Sequence, residues 1–397
     1  MLVNATDPII FELEDWISET DSEKNEDNKT NSQDVPEDPS VQNTKSTTQV
    51  SPAVVKMKDT PNFIQVDSGN CPVGFEDVQK AADRIASHIH RTPVLTCKTI
   101  DQHVGANVFF KCENFQKSGA FKFRGAVNAI AQLSPEELER GVVTHSSGNH
   151  AGALAAAAQI FGTRASIVMP SNSSQIKKVA VRGYGGHITE CQPNLSSRES
   201  VAEQVRKETG SVMIPPFDHA HIIAGQGTAA MEFLQQVPQL EAIIAPIGGG
   251  GLMSGTCIAA RALNQRILVL GAEPKGADDA FRSKQAGKFI PQISPNTISD
   301  GLRTSLGELT WPFVRDRVDE IGLADDDETI DAMKMFWERT KVIIEPSSAV
   351  PLAAILKRKL RALSEIDADG SVPNSVKNIG IIISGGNVDL MNLPWLH

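Results

Sequence analysis

Residues 117–126 read KSGAFKFRGA, a stretch that combines three cationic side chains, two glycines and two phenylalanines. Within it, Lys122 stands between Phe121 and Phe123. Burial disfavours the charged form of an amine, so a lysine enclosed by aromatic rings should have a lowered pKa and act as a nucleophile. The alternative is an amphipathic helix start whose lysine reaches past the rings into water.

The composition of the 397-residue chain is that of a globular protein with about two domains. A hydrophobic content of 40% is enough for a sizeable core. Aromatic residues make up only 5% and the net charge is −10, which argues against a nucleic-acid partner. No apolar run reaches about 18 residues, so we expect no membrane association through a spanning segment.

The spacing of the cysteines and the composition of the N-terminus indicate in which cellular compartment the protein is found. The five cysteines are widely spaced and form no CxxC pair, which predicts neither a disulfide framework nor a zinc site. The first 20 residues are acidic, whereas targeting peptides are basic. We therefore expect a cytoplasmic protein.

The negative charge is concentrated at the N-terminus. Residues 1–60 carry 13 acidic and 5 basic side chains, a net charge of −8, so the rest of the chain is close to neutral. Residues 18–60 are polar and almost free of aromatics, so they cannot bury enough apolar surface to offset the entropy of ordering. We predict a disordered acidic tail over residues 1–70. Within it, the apolar segment Ile9–Ile17 could form a short docking helix.

From residue 74 onward, short apolar runs alternate with segments of helical periodicity. Strands are predicted at 94–96, 107–111, 141–144, 165–169, 187–189, 242–247, 267–272 and 379–384. Helices are predicted at 75–90, 124–133, 150–161, 175–183, 197–208, 225–236, 251–263 and 327–340. Continuous apolar strands between helices are typical of parallel sheets covered on both faces. The pattern therefore predicts an α/β protein with two sheets.

A run of four glycines, Gly248, Gly249, Gly250 and Gly251, follows one predicted strand and precedes a helix. Such a turn can direct several backbone N–H groups into one small volume, next to the positive end of the helix dipole. The run matches neither the GxGxxG pattern nor the GxxxxGK[ST] pattern. NAD binding and ATP hydrolysis are therefore both disfavoured. It predicts a phosphate site, although a flexible turn would look the same.

Two further turns carry polar groups at strand ends, where parallel α/β sheets bind their ligands. Residues 145–150 read HSSGNH, and their hydroxyls, amide and helix N-terminus can hold a carboxylate. Helix capping alone is the other explanation. Residues 384–387 read SGGN, and Ser384 could offer one neutral hydrogen bond to a ligand in the crevice.

An acidic turn follows the predicted strand at 267–272. There, Glu273 and Asp279 with an intervening carbonyl could form an oxygen-only site for a hard divalent cation. Acidic residues are also common on any solvated loop, so the residues alone leave this open.

Four features occur here in chain order: the reactive Lys122, SSGNH at 146–150, the four glycines at 248–251 and SGGN at 384–387. This order resembles the pyridoxal 5′-phosphate (PLP) enzymes of fold type II, the tryptophan-synthase-β fold, over roughly residues 74–397. The chain looks most like the family of serine racemases and L-serine/L-threonine dehydratases. The resemblance implies a large PLP-binding domain (71–140 and 219–397), a small mobile domain (141–218) and the cofactor in the cleft between these two parallel-sheet domains.

The resemblance also implies roles for individual residues. Lys122 would bind PLP covalently and, once displaced by an amino-acid substrate, move the Cα proton on one face of the cofactor. Phe121 would pack beside the pyridine ring, and Asn149 would hydrogen-bond the ring hydroxyl. Gly248–Gly251 would hold the phosphate. Ser384 would meet the pyridine nitrogen, and a neutral hydroxyl there leaves the ring a moderate electron sink.

Ser147 bears on the choice between racemase and dehydratase. Threonine dehydratases read SAGNH at this loop, whereas serine racemases carry a serine that acts as acid and base opposite the lysine. Racemisation needs one group to remove the proton and another to return it from the far side. The resemblance therefore implies serine racemisation accompanied by β-elimination to pyruvate and ammonia. The segment Asp218–His221 looks more like the dehydratases, so L-threonine/L-serine or 3-hydroxyaspartate dehydratase and aspartate racemase stay as alternatives.

Further ligand contacts follow from the resemblance. The substrate would meet Ser146, Ser147, Gly148, Asn149, His150 and, in a closed state, Arg198. Glu273, the carbonyl of Ala277 and Asp279 match a Mg²⁺ or Ca²⁺ site. Lys117 and Tyr184 match positions linked to activation by ATP. The family also implies a homodimer.

Overall fold

The computed structural model describes residues 10–12, 73–363 and 376–396. Residues Ile10–Glu12 form a strand that pairs in parallel with Val94–Thr96, rather than the helix considered for this segment. The remainder of the predicted disordered tail, residues 1–9 and 13–70, lies outside the described residues, so its disorder stays a prediction.

The described part of the chain alternates strands and helices along most of its length. The strands are β1 (Ile10–Glu12), β2 (Val94–Thr96), β3 (Asn107–Cys112), β4 (Val142–His145), β5 (Ala165–Pro170), β6 (His187–Cys191), β7 (Val212–Met213), β8 (Ala242–Pro246), β9 (Leu268–Pro274), β10 (Glu320–Ala324) and β11 (Asn378–Ile383). The helices are α1 (Phe75–Ile85), α2 (Lys98–Val104), α3 (Lys122–Ile130), α4 (Pro135–Arg140), α5 (Asn149–Ile160), α6 (Gln175–Gly183), α7 (Leu195–Thr209), α8 (Ala220–Gln236), α9 (Gly251–Leu263), α10 (Asp279–Ala286), α11 (Trp311–Arg317), α12 (Asp326–Thr340) and α13 (Pro346–Leu356).

The strands form two sheets. The larger has the order β1-β2-β3-β11-β8-β9-β10, and the smaller has the order β6-β5-β4-β7. In the larger sheet, Ile381 of β11 pairs with Phe110 of β3 on one side and Ile244 of β8 on the other. These central strands are buried because helices cover both faces of a parallel sheet. The predicted α/β class with two parallel sheets is confirmed.

One strand pair departs from the parallel prediction. Strands β2 and β3 are antiparallel, with Leu95 opposite Phe110. The segment that joins them is residues 97–106, and a parallel crossover needs a dozen residues or more. The short connection therefore forces the antiparallel arrangement.

The smaller sheet contains only strands from within residues 142–213, and the larger sheet contains none of them. The predicted division into a large domain (71–140 and 219–397) and a small mobile domain (141–218) stays a prediction. None of the helices in the described part of the chain combines the length and apolar character that crossing a lipid bilayer requires.

Helix α3, which begins at Lys122, is held by close backbone contacts with α8. A Cβ on Gly225 would come within 2.6 Å of the Gly125 Cα atom, so the two helices touch through their glycines. The Gly125 N–H also donates to Gln226 Oε1 at 3.2 Å. These contacts leave no room for a side chain at either glycine, and they fix the start of α3 relative to the larger sheet.

Candidate active site

Lys122 is the first residue of α3 and is partly buried. Its Nζ donates to the Pro216 carbonyl at 2.6 Å and lies 5.1 Å from the centroid of the Phe121 ring. Burial lowers the pKa of Lys122 to about 8, as the sequence predicted. The second ring near Nζ is that of Phe217 at 5.9 Å, and not that of Phe123. Phe123 is instead buried in the core.

The SGGN turn lies directly beside the lysine loop. The Phe121 N–H donates to the Ser384 carbonyl at 3.0 Å, and the Gly386 N–H donates to the Gly119 carbonyl at 3.0 Å. Two short segments that are far apart in sequence therefore run side by side. This pairing brings Ser384 next to the residue that precedes Lys122.

The Asn149 side chain has well-defined partners. Its Nδ2 donates to Glu345 Oε1 at 2.7 Å, and its Oδ1 accepts a bond from Asn387 Nδ2 at 2.9 Å. Asn387 Nδ2 also donates to the Ser118 carbonyl at 2.8 Å, which fixes the Asn387 amide, so Asn149 Oδ1 faces Asn387 and Nδ2 faces Glu345. One hydrogen on Nδ2 is then left to donate to a ligand, which suits the predicted contact with an oxygen on the cofactor ring.

The rest of the SSGNH loop is arranged around this amide. The Ser146 N–H donates to the Val168 carbonyl at 3.1 Å, and Ser146 Oγ accepts from the Gly148 N–H at 3.3 Å. Ser147 is partly exposed, and its hydroxyl has no hydrogen-bond partner among the described residues. The hydroxyl of Ser147 is therefore free to act on a ligand.

His150 is buried beneath this loop. Its Nε2 bonds the Ile214 carbonyl at 3.1 Å. Burial, assisted by the charge of Lys122, lowers the pKa of His150 to about 3, so the imidazole is neutral. These features favour a role in holding the loop, and a direct substrate contact stays a prediction.

Arg198 lies in the first turn of α7, a helix that packs on the smaller sheet. It is partly buried, and its Nε is enclosed without a hydrogen-bond partner among the described residues. Its charge reaches His145, whose pKa is lowered by burial and then by Arg198. The guanidinium is thus available to a carboxylate.

The four glycines are buried; Gly248–Gly250 form the turn between β8 and α9, and Gly251 begins α9. Their backbone N–H groups donate to no acceptor among the described residues, and buried N–H groups normally find one. A Cβ on Gly249 would lie 2.3 Å from the Phe217 ring, and Gly250 has a φ of +84°. Unpaired donors in a turn that excludes side chains fit an anionic group such as a phosphate.

Ser384 is buried at the end of β11, and its Oγ lies 3.0 Å from Ser348 Oγ. Ser348 and Glu345 were not predicted from the sequence, although they contact Ser384 and Asn149. Both belong to the start of α13, a helix that the hydrophobic pattern did not predict. The sequence does contain a signal for the start of this helix. Pro346 follows Glu345, and proline is favoured at the first position of a helix.

The predicted metal ligands lie around the start of α10. Glu273 is buried and accepts the N–H groups of Ala280 at 3.1 Å and Phe281 at 2.7 Å. Asp279 is buried, and its Oδ1 has no partner among the described residues. No group of three or more His, Cys, Asp or Glu side chains that could hold a metal is found in the described ranges, so the predicted set needs the Ala277 carbonyl as its third ligand.

The two predicted nucleotide residues both lie near α5. Lys117 begins the short 3₁₀ turn Lys117–Gly119, which packs on that helix. Tyr184 follows α6, and a Cβ on Gly152 would lie 3.8 Å from its ring. Both side chains are partly buried, and no hydrogen bond joins them among the described residues.

The fold and the site define a PLP-dependent enzyme. The family model for pyridoxal-phosphate dependent enzymes matches residues 85–385, and the chain belongs to that family. It is 52% identical to a serine racemase of Oryza sativa subsp. indica over 316 residues, which cover 80% of this chain and 91% of the relative. The predicted relationship to serine racemases and their dehydratase relatives is thereby confirmed.

Two further comparisons agree with this relationship. The chain is 48% identical to a beta-hydroxyaspartate dehydratase of Paracoccus denitrificans over 321 residues, covering 81% of this chain and 98% of the relative. The structure of maize serine racemase matches with a TM-score of 0.76 at 50% identity, covering 80% of this chain and 95% of that one.

Proposed function

We propose that the protein is a PLP-dependent serine racemase that interconverts L- and D-serine and also eliminates water from serine, yielding pyruvate and ammonia. One observation carries the proposal. Asn387 Nδ2 donates to the Ser118 carbonyl at 2.8 Å and to Asn149 Oδ1 at 2.9 Å. This single side chain joins the lysine loop, the SSGNH loop and the SGGN turn into one site.

The residues of the site fit PLP. The unpaired N–H groups of Gly248–Gly251 would hold its phosphate, Asn149 its ring hydroxyl and Ser384 its ring nitrogen. Bound there, PLP would withdraw electrons from the substrate Cα and make its proton acidic. Lys122 would provide the amine that binds the cofactor and moves this proton on one face.

Ser147 would serve the other face. Its hydroxyl can return a proton to Cα from the side opposite Lys122, and in the reverse direction it accepts that proton. The SSGNH loop and the uncommitted guanidinium of Arg198 would hold the substrate carboxylate. Elimination needs only the lysine and a protonated leaving hydroxyl, so it should not depend on Ser147.

Incubation with L-serine, followed by chiral chromatography and a pyruvate assay, tests the proposal. The wild-type protein should produce both D-serine and pyruvate. Ser147→Ala should abolish D-serine formation and keep pyruvate formation, whereas Ser147→Thr, which retains a hydroxyl, should preserve part of the racemisation. Equal loss of both products in Ser147→Ala would contradict the assigned role.

A second candidate is a dehydratase acting on 3-hydroxyaspartate, L-threonine or L-serine, and aspartate racemisation is a related alternative. Segment 218–221, which resembles the dehydratases, favours the dehydratase. Asp218 accepts N–H bonds from Glu308 at 3.0 Å and Leu309 at 2.9 Å, so this segment is tightly held beside Lys122. Pyruvate without D-serine would select the dehydratase, and kcat/KM across these substrates would rank them.

We also propose that Mg²⁺ or Ca²⁺ binds Glu273, Asp279 and the Ala277 carbonyl. Burial, followed by the nearby Asp279 charge, raises the pKa of Glu273, and burial raises the pKa of Asp279 to about 6. A cation would compensate these crowded carboxylates, and it would satisfy the unpaired Oδ1 of Asp279. MgCl₂ should raise the melting temperature of the wild type but not that of Asp279→Asn. Asp278→Asn, a neighbour engaged by Arg282, is the matched control.

Activation by ATP and assembly as a homodimer are the remaining proposals, and both rest on the family. Lys117→Ala and Tyr184→Phe should remove any rate increase that ATP produces. Size-exclusion chromatography with light scattering measures the oligomeric state directly.

A further inference from the structure

Ser348, in the first turn of α13, lies against the strand end that carries Ser384. Its Oγ is 3.0 Å from Ser384 Oγ. It also donates to the Gly385 carbonyl at 2.7 Å and accepts from the Gly385 N–H at 2.8 Å. Both serines are buried, with exposed fractions of 0% for Ser348 and 2% for Ser384. Two buried hydroxyls therefore share one small polar cluster at the base of the site.

The number of hydroxyl protons determines which serine of this cluster donates a hydrogen bond to the other. Each hydroxyl has one proton and can accept two bonds. The Gly385 N–H uses one acceptor position of Ser348, and the short contact to the Gly385 carbonyl takes its proton. The remaining acceptor position of Ser348 faces Ser384. Without a ligand, Ser384 therefore donates to Ser348.

A ring nitrogen in the site changes this pattern. Ser384 would then donate to the nitrogen, and the Ser348 proton can turn from the Gly385 carbonyl to Ser384 Oγ. The two O–H groups would point in series toward the ligand, and hydrogen bonds in series strengthen one another. Among the described residues, Ser348 is the one side chain that bonds Ser384 Oγ, so it alone sets the rotamer of that hydroxyl.

We propose that Ser348 is a positioning residue that orients the Ser384 hydroxyl toward the pyridine nitrogen and strengthens its bond to it. This inference rests on the proposed function, because it requires PLP in the site with its nitrogen at Ser384. Ser348 does not itself touch the cofactor. It acts through Ser384, and this dependence is what an experiment can measure.

The test is a double-mutant cycle on PLP binding. The dissociation constant of PLP is measured by titrating apoprotein and following the visible absorbance of the bound cofactor, for the wild type, Ser348→Ala, Ser384→Ala and the double variant. Loss of one hydrogen bond predicts roughly fivefold weaker binding in Ser348→Ala. In the Ser384→Ala background, Ser348→Ala should cause no further change. The pH dependence of the absorbance should shift in Ser348→Ala toward that of Ser384→Ala.

Ser283→Ala is the matched control. Ser283 is fully buried on α10 and bridges the N–H and carbonyl of Ile290 at 2.9 and 3.2 Å, the same pattern as Ser348 with Gly385. It should lower the melting temperature of the apoprotein as Ser348→Ala does, with unchanged PLP affinity. If Ser348→Ala does not fold, Ser348→Cys replaces it, since the thiol keeps the shape and bonds weakly.

Two results would overturn the inference. One is equal weakening of PLP binding by Ser348→Ala with and without Ser384, which would mean that Ser348 only supports the Gly385 turn. The other is wild-type affinity in Ser348→Ala. Failure of the wild-type apoprotein to take up PLP at all would instead refute the proposed function, and it is seen before any variant is compared.

Discussion

Asn149 Nδ2 donates to Glu345 Oε1 across 2.7 Å, which joins the loop after β4 to the first turn of α13. The carboxylate of Glu345 is buried, and burial, followed by the charge of Asp300, raises its pKa to about 7. Lys177 acts in the opposite direction on the same pKa. The bond that orients the Asn149 amide therefore depends on a carboxylate that titrates near neutral pH.

Replacement of Glu345 by glutamine should change the pH dependence of stability. The native pKa of about 7 exceeds the ordinary value of 4.5, so between these values the native state binds more protons than the unfolded state. Wild-type stability should therefore fall as pH rises from about 4.5 to 7, by on the order of 3 kcal/mol from this group. Glu345→Gln should lack this decrease. Thermal unfolding of the apoproteins between pH 5 and 8 measures the difference. The exposed variant Glu338→Gln should follow the wild type, and a parallel profile for Glu345→Gln would contradict the assignment.

Substitution of Lys122 by methionine should stabilise the apoprotein at pH 7. Burial lowers the lysine pKa to about 8 from 10.5, so the native state binds fewer protons between these values, and its stability rises with pH there. Removing the amine should add about 1–2 kcal/mol at pH 7, after allowance for the lost bond to Pro216. This gain should shrink as the pH approaches 10.5, and covalent PLP absorbance should be lost. Lys117→Met, from the same stretch, should give no such gain.

Gly250→Ala should weaken PLP binding, whereas the control variant Gly287→Ala should not. Its φ of +84° disfavours a side chain, and a Cβ would lie 2.7 Å from Thr310 Cβ in the glycine turn. Gly287→Ala is the control, because Gly287 has a φ of +63° with nothing within 4 Å. Both variants should lose about 1–2 kcal/mol of folding stability from backbone strain, and Gly250→Ala should lose more because its Cβ also clashes with Thr310. Only Gly250→Ala should raise the dissociation constant of PLP, and equal affinities would argue against a phosphate at this turn.

Glu113→Ala should be strongly destabilising, by about 3–5 kcal/mol. Glu113 makes a bidentate pair with fully buried Arg124, with both N–O distances at 2.7 Å. Its removal leaves the guanidinium with one carboxylate, Glu232. The comparison is Glu203→Ala, which removes an equally bidentate but exposed partner of Arg206 and should change the free energy of unfolding little. Denaturant unfolding measures both.

The three cationic side chains within residues 117–126 show how much the local sequence can predict. They look alike in the sequence, yet Lys117 is partly exposed, Lys122 faces the site, and Arg124 is fully buried in an ion-pair cluster. The predicted lowering of the Lys122 pKa is confirmed, although of the two flanking aromatic residues only Phe121 lies near Nζ. Nothing local distinguished Arg124, since its partners Glu113 and Glu232 lie on other elements.

The amino-acid sequence by itself determined the alternation of strands and helices, the parallel sheets and the glycine turn, because periodicity and turn chemistry act over a few residues. Only the tertiary structure decided that Phe217 rather than Phe123 faces Lys122, that Asn387 joins three loops, and that Glu345 and Ser348 lie behind Asn149 and Ser384. These contacts link segments up to about 270 residues apart. No local pattern encodes them, because they arise from how the packed sheets bring distant strand ends together.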